Sequence, residues 1–245
     1  LQEFLARHKW DENAIPKPHD PAKIPVPAHL PDVPGMRADL ARYYDEISRM
    51  DEEFQMVVDI LEKRGRGANT LVMFMGDNGH AFPHGKGSLY DPGLNVPLVI
   101  RFPGKVKAGT VSDAAICHTD LLATACAAAG ISIGRDAAED SFAIQPALAG
   151  VRGEKAVRPH LVHHAGNGMF AIREGGWKLI EGLGSGGFTP PAKIEAKPGG
   201  PQGQLFHMAL DPLEREDVYE KHPEQVARLS GLLNQIRDAG RTRAS

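Results

Sequence analysis

A chain of 245 residues can bury one substantial core, or a large core with a smaller one attached. Its 42% hydrophobic and 24% charged residues are ordinary for a soluble globular protein. A net charge of -3 gives no electrostatic ground for nucleic acid or an anionic membrane surface as partner, and no apolar run reaches the length of a transmembrane helix.

The opening LQEFLARHKW lacks the basic-then-apolar order of a signal peptide. Seven prolines between Pro16 and Pro34 predict an extended surface strap. A long helix is expected from about Gly35 to Arg64. Leu40, Tyr43, Tyr44, Ile47, Met50, Phe54, Val57, Val58 and Leu61 recur at helical spacing, and Gly65 suits its stop. Asp51 shares that face and reads as a helix-to-loop hydrogen-bonding group. TLVMFM (Thr70–Met75) reads as a buried strand and VPLVIR (Val96–Arg101) as a second. The long stretch between them has no periodicity, which inside a compact domain marks a functional or disordered loop. Thr119–Ala129 predicts a helix buried on most sides, capped by Thr119 and ended by Gly130.

Composition shifts after about Gly150. LVHH, MFAIRE and WKLIE predict an antiparallel meander, with QLFHMAL as a fourth strand after a Gly/Pro-rich loop near 182–203. A last helix is expected from about His222, with Val226, Leu229, Leu232, Leu233 and Ile236 on one face. Trp177 and Phe170 are expected between this sheet and that helix. The fold class is therefore α/β, a mixed sheet layered with helices over 1–150, followed by a small α+β subdomain with an antiparallel sheet over 151–245.

The informative segment is GDNGHAFPHGKGSLYDPGLNVPL, residues 76–98. Asp77 and Asn78 follow the first strand, and ligands in α/β sheets bind beyond strand carboxyl ends. A carboxylate beside an amide carbonyl suits Ca²⁺ or Mg²⁺ better than zinc, although Asp-Asn-Gly is equally an ordinary turn. Lys86, between glycines, could neutralise a tetrahedral anion. Five residues separate Gly79 from Gly85, where a P-loop needs four, so this is not a Walker loop. GLGSGG (Gly182, Gly184, Gly187) formally fits a dinucleotide fingerprint, but Phe188-Thr189-Pro190-Pro191 leaves no helix to receive a pyrophosphate.

His80 and His84 flank the segment and read either as exposed loop histidines or as substrate contacts, with His84 the nearer to Lys86. Of His163 and His164, adjacent on a strand, at most one can readily face a pocket, and His164 is carried forward as a substrate contact. His118 and Asp120 read as structural, with Asp120 complementing a helix start. Cys117 and Cys126 read as plain buried thiols.

Several of these runs, in this order, resemble the sulfatase family of the alkaline phosphatase superfamily, arylsulfatases and heparan N-sulfatase-like members among them. NTLVMFMGDNG resembles its strand ending in Ser-Asp-Asn/His-Gly. KGSLYDPGLNVPLVIRFPG resembles its lysine loop and following strand, and QLFHMALDPLEREDV its C-terminal Asp-Pro-x-Glu turn. Gly76 departs from the serine usual at that position.

The resemblance implies an alkaline-phosphatase-like fold in which Asp77 and Asn78 are metal ligands, with Ca²⁺ favoured over Mg²⁺, and Lys86 contacts the sulfate. It implies hydrolysis of a sulfuric ester or sulfamate on a small aryl sulfate or sulfated sugar, and a periplasmic or secreted location. Its formylglycine nucleophile, made in a Cys/Ser-x-Pro/Ala-x-Arg motif, is matched by neither Cys117 nor Cys126 and is expected upstream of Leu1. His19, in the strap, stands too late for the family's upstream Pro-His element. Without that segment the chain alone is expected to be inactive. Rival readings are a phosphodiesterase or phosphonate hydrolase of the same superfamily, or an inactive remnant acting as a binding module.

Overall fold

The computed structural model describes residues 18–150 and 157–243. The opening decapeptide and the first residues of the strap lie outside them. The described residues form two compact units, one up to Ala68 and one from Asn69 onward. The composition change near Gly150 falls within the second unit.

In the first unit the Pro-rich strap is stitched to helix α1 (Pro34–Lys63). His19 gives both its backbone N–H and Nδ1 to Asp45 Oδ1, each at 2.8 Å. The Arg37 guanidinium holds Asp32 and reaches the carbonyls of Pro21, Ala22 and Ile24. His19 is thus tied to the helix by Asp45. Asp45 also does what the periodicity assigned to Asp51, which is exposed. The helix ends as expected: Gly65 takes φ 64°, its N–H donates to Glu62 O, and the Arg66 N–H donates to Leu61 O. Of the apolar stripe, however, only Leu40 is fully covered, while Tyr43, Ile47, Met50 and Val57 are exposed.

In the second unit, β1 (Val72–Met75) pairs antiparallel with β2 (Leu98–Arg101). β1 is half-buried and not fully buried, and Val99 on its partner is 61% exposed, because a two-stranded ribbon covers little of its own faces. Between them, α2 (Asp91–Leu94) is a single helical turn that the aperiodic sequence did not announce. Helix α3 (Asp120–Ala128) buries one side only, through Asp120, Ala123 and Thr124, and leaves Leu122 57% exposed. Its end is as expected, with Gly130 at φ 72° and the Ile131 N–H on Cys126 O. Its start is not. The Thr119 hydroxyl donates to Asp140 O instead of capping, and the Asp120 carboxylate accepts the Cys117 and Phe142 N–H groups. Cys117 and Cys126 are free and half-buried.

After the short α4 (Gln145–Leu148) comes a four-stranded antiparallel sheet in sequence order, comprising β3 (Leu161–His164), β4 (Phe170–Glu174), β5 (Trp177–Ile180) and β6 (Gln204–His207). Its pleat sorts two cores. Ile172, Leu179 and Leu205 face helix α5 (Pro223–Ala239), whose Leu229 and Leu233 are buried against them, with Phe170 and Trp177 packed alongside. Ala171, Ile180 and Phe206 face the opposite way, onto Leu89 of the loop between β1 and β2. This second contact brings the sheet to the Asp77–Lys86 segment. No helix among the described residues is long and apolar enough to cross a membrane.

Arg158 and Asp120, 2% and 1% exposed, join the sheet's leading segment to α3 with two oxygens at 3.1 and 3.2 Å. Removing one partner strands the other charge in the interior. Asp120→Ala should cost about 3–5 kcal/mol in urea unfolding; a loss under about 1 kcal/mol would mean the pair is solvated.

Candidate functional site

The loop between β1 and β2 folds back on itself through glycines that have no room for a side chain. A Cβ on Gly79 would lie 2.1 Å from Pro92 O, one on Gly85 2.1 Å from His80 O, and one on Gly93 2.5 Å from Gly85 O. The Lys86 N–H donates to His80 O at 2.8 Å, and Ser88 Oγ donates to His84 O at 2.7 Å. His84 itself takes φ 60°, unusual without glycine. A tight knot thus places Asp77 and Asn78 at the end of β1, with Lys86 exposed beyond them.

Asp77 and Asn78 line a cavity of about 700 Å³ whose walls also include Asp91, His118, His163, Arg173 and Lys178. Lys86, His80 and His84 lie outside this lining, although Gly87 and Ser88, next to Lys86, belong to it. His80 turns inward: its Nδ1 accepts the Phe82 N–H, and burial pulls its pKa below the ordinary histidine value. Asn78 Nδ2 donates to Gly79 O at 2.9 Å, which leaves its Oδ1 as the side-chain acceptor. The pair therefore fits a hard cation in donor type, but supplies two of the six to eight oxygens calcium takes. Among the described residues no three His, Cys, Asp or Glu side chains cluster to complete a metal site.

The register of β3 separates its two histidines. His163 pairs with Ala171, on the face turned to the β1–β2 loop, whereas His164 pairs with Phe170, on the α5 face. His164 packs at a tilt against Phe170, ring centroids 4.6 Å apart, while still bordering the cavity. Burial, and then the charge of Lys178, push His163 down to about 4, so it is neutral near pH 7.

Sequence reasoning missed the group that ties loop to sheet. Lys178 is 1% exposed, donates to Asp91 Oδ1 at 3.2 Å, and pairs with Glu214. The Asp91 N–H donates to Glu214 Oε2 at 2.6 Å, and Arg173, the cross-strand neighbour of Lys178, stands 4.0 Å from Asp91. Burial raises the pKa of Glu214, against the pull of Lys178. The alternation of WKLI marks Lys178 as opposite in facing to Trp177 and Leu179, the one sequence signal that could have found it. His118, read as structural, lines the cavity with its Nε2 2.8 Å from Gly76 O, which steadies the peptide preceding Asp77. A side chain on Gly76 would press on Val96 Cβ at 3.2 Å, so glycine suits this spot.

Two measurements bear on this arrangement. Glu214→Ala leaves Lys178 facing one carboxylate fewer, and should destabilise by about 3–5 kcal/mol in urea melts; a change below about 1 kcal/mol would show Asp91 alone sufficient. His163 binds its proton near pH 6.5 when unfolded and only near 4 when folded. Stability should therefore fall as pH drops through that window, and His163→Gln should flatten the slope. An unchanged slope in the variant would assign the acid loss to other groups.

The Sulfatase family model matches residues 4–131. Human N-sulphoglucosamine sulphohydrolase is 40% identical over 110 residues, covering 44% of this chain and 22% of its own length. The N-acetylgalactosamine-6-O-sulfatase of Bacteroides thetaiotaomicron is 28% identical over 234 residues, covering 85% of this chain and 45% of its own. A sulfatase structure from the glycosaminoglycan metabolism of the same bacterium superposes with a TM-score of 0.66 at 24% identity, covering 97% of this chain and 52% of that one. The chain thus spans less than half the length of these curated relatives. With the family match covering more than half the chain, and with the alkaline-phosphatase-like fold shared with solved sulfatases, the protein belongs to the sulfatase family.

Proposed function

We propose that this chain carries part of the site of a sulfuric ester or sulfamate hydrolase acting on a sulfated sugar, with its formylglycine nucleophile supplied from outside these 245 residues. The observation that carries this reading is that Asp77 and Asn78 sit together at the end of β1 in the wall of a cavity large enough for a sugar. The names of the human and Bacteroides relatives, both enzymes of sulfated hexosamines, support that substrate class over an aryl sulfate. An exported location, periplasmic or secreted, belongs to the same proposal.

Asp77 and Asn78 would supply two hard oxygen donors to a Ca²⁺ ion, which when bound polarises the sulfuryl oxygens and holds the nucleophile. Lys86 adds a cation on the adjacent loop, able to neutralise charge that builds on the transferring group. His84, two residues before Lys86 and outside the cavity lining, would be the nearest histidine in the loop sequence to hand a proton to the departing alcohol or amine. Neutral Asn78, standing where a zinc site would present histidine, favours calcium and therefore sulfate chemistry over phosphoryl transfer.

In the full-length enzyme, Lys86→Ala should lower kcat on a sulfated glucosamine roughly a hundredfold or more, while calcium binding, followed by calorimetry, stays intact. Asp77→Asn should instead weaken calcium binding. Near-normal turnover in the Lys86 variant would remove that residue from the mechanism. Residues 1–245 alone should show no hydrolysis, and measurable turnover would place a nucleophile within them.

A further inference from the structure

The Gly-rich loop that ends in Phe188 serves no nucleotide, and the metal chemistry does not use it. Its place in the fold is specific. Ser185 O accepts the Leu89 N–H at 3.0 Å, and Thr189 Oγ1 accepts the His84 N–H at 2.7 Å. Both ends of the 185–189 turn are thereby fastened to the segment that carries Lys86. The turn is closed internally by Ser185 Oγ on Thr189 O at 2.5 Å, and braced by Gly186 N–H on Ala192 O at 2.9 Å.

Backbones meet closely here. A Cβ on Gly187 would lie 2.0 Å from Gly87 O, and one on Gly87 would lie 3.0 and 3.1 Å from Cδ2 and Cε2 of Phe188. Gly87, at φ 80°, lines the cavity, and the phenyl ring lies against Gly87 from outside that lining. The ring is nonetheless 78% exposed.

Single exposed apolar side chains need no explanation in general, and Val111 and Leu210 are as exposed as Phe188. What distinguishes Phe188 is that it is aromatic, held on a tethered turn and set against Gly87, the residue after the candidate sulfate-binding lysine. A phenyl ring left in water is apolar surface whose burial a ligand can recover. A ring with two side-chain torsions on a tethered turn loses little entropy when it is covered. The apolar C–H face of a pyranose complements the negative face of such a ring, while the sugar's hydroxyls stay in water.

We propose that Phe188 is a stacking platform for a pyranose ring, forming a carbohydrate subsite beside the cavity. It rests on the sulfated-sugar reading for its choice of ligand. Phe188 would hold the sugar while Lys86 and the Asp77–Asn78 pair meet the sulfate.

The test is calorimetric and NMR titration of the full-length protein with three probes: a 6-O-sulfated glucosamine methyl glycoside, its unsulfated parent and inorganic sulfate. Phe188→Ala should weaken both glycosides roughly tenfold and leave inorganic sulfate unchanged, and Phe188→Trp should restore the glycosides. Equal glycoside affinity in Phe188→Ala and the parent overturns the proposal. So does a parallel loss of inorganic sulfate, which would make Phe188 a prop for the Lys86 loop. The two readings fail separately. Phe188-dependent binding without sulfate release would keep the subsite and sink the hydrolase, whereas sulfate release indifferent to Phe188 would do the reverse.

Discussion

Lys178 is the point on which the second unit turns. A lysine removed from water carries a desolvation cost of several kcal/mol, recovered only by well-placed opposite charge. Asp91 and Glu214 provide it from two distant stretches, the site loop and the turn after β6. With Arg173 the four charges balance. The sheet therefore has one low-energy way to meet the loop, the one in which Asp91 accepts from Lys178 and its N–H is held by Glu214. Everything placed by that loop, from Asp77 to Lys86, inherits its position from this contact.

The glycines of the loop act with that clamp. Gly79, Gly85 and Gly93 allow main chain to lie on main chain, so the turn at Asp91 packs directly beneath the segment after β1. Leu89 carries the apolar half of the same contact, buried among Ala171, Ile180 and Phe206. Charge sets the orientation and apolar burial supplies most of the cohesion. The neutral state of His163 is a by-product of this design: burial under the loop disfavours its charged form first, and the cations that hold Asp91 add to that.

Much of this was legible in the chain. The 3.6-residue spacing of Leu229, Leu232, Leu233 and Ile236 predicts α5 and its buried face, and the alternating runs around Phe170 and Trp177 predict the meander. Gly65 and Gly130 stop their helices through the αL geometry that their position demands. Asp77, Asn78 and Lys86 stood out as residue types at the end of a strand. Where the expectation slipped, at the half-exposed β1, the one-sided α3 and the uncapping Thr119, the outcome depended on what lay across from the segment.

Local periodicity and turn chemistry, which act within a few residues, determined the order and kind of the elements and the short list of candidate side chains. Only the tertiary structure decided which of His163 and His164 lies on the loop-facing side, because that depends on the register of β3 against β4. Likewise, only it decided that Lys178 meets Asp91 across 87 positions, and that Phe188 lies against Gly87. Such encounters join segments whose own patterns carry no trace of one another, so they exist only once the sheet has packed onto the loop.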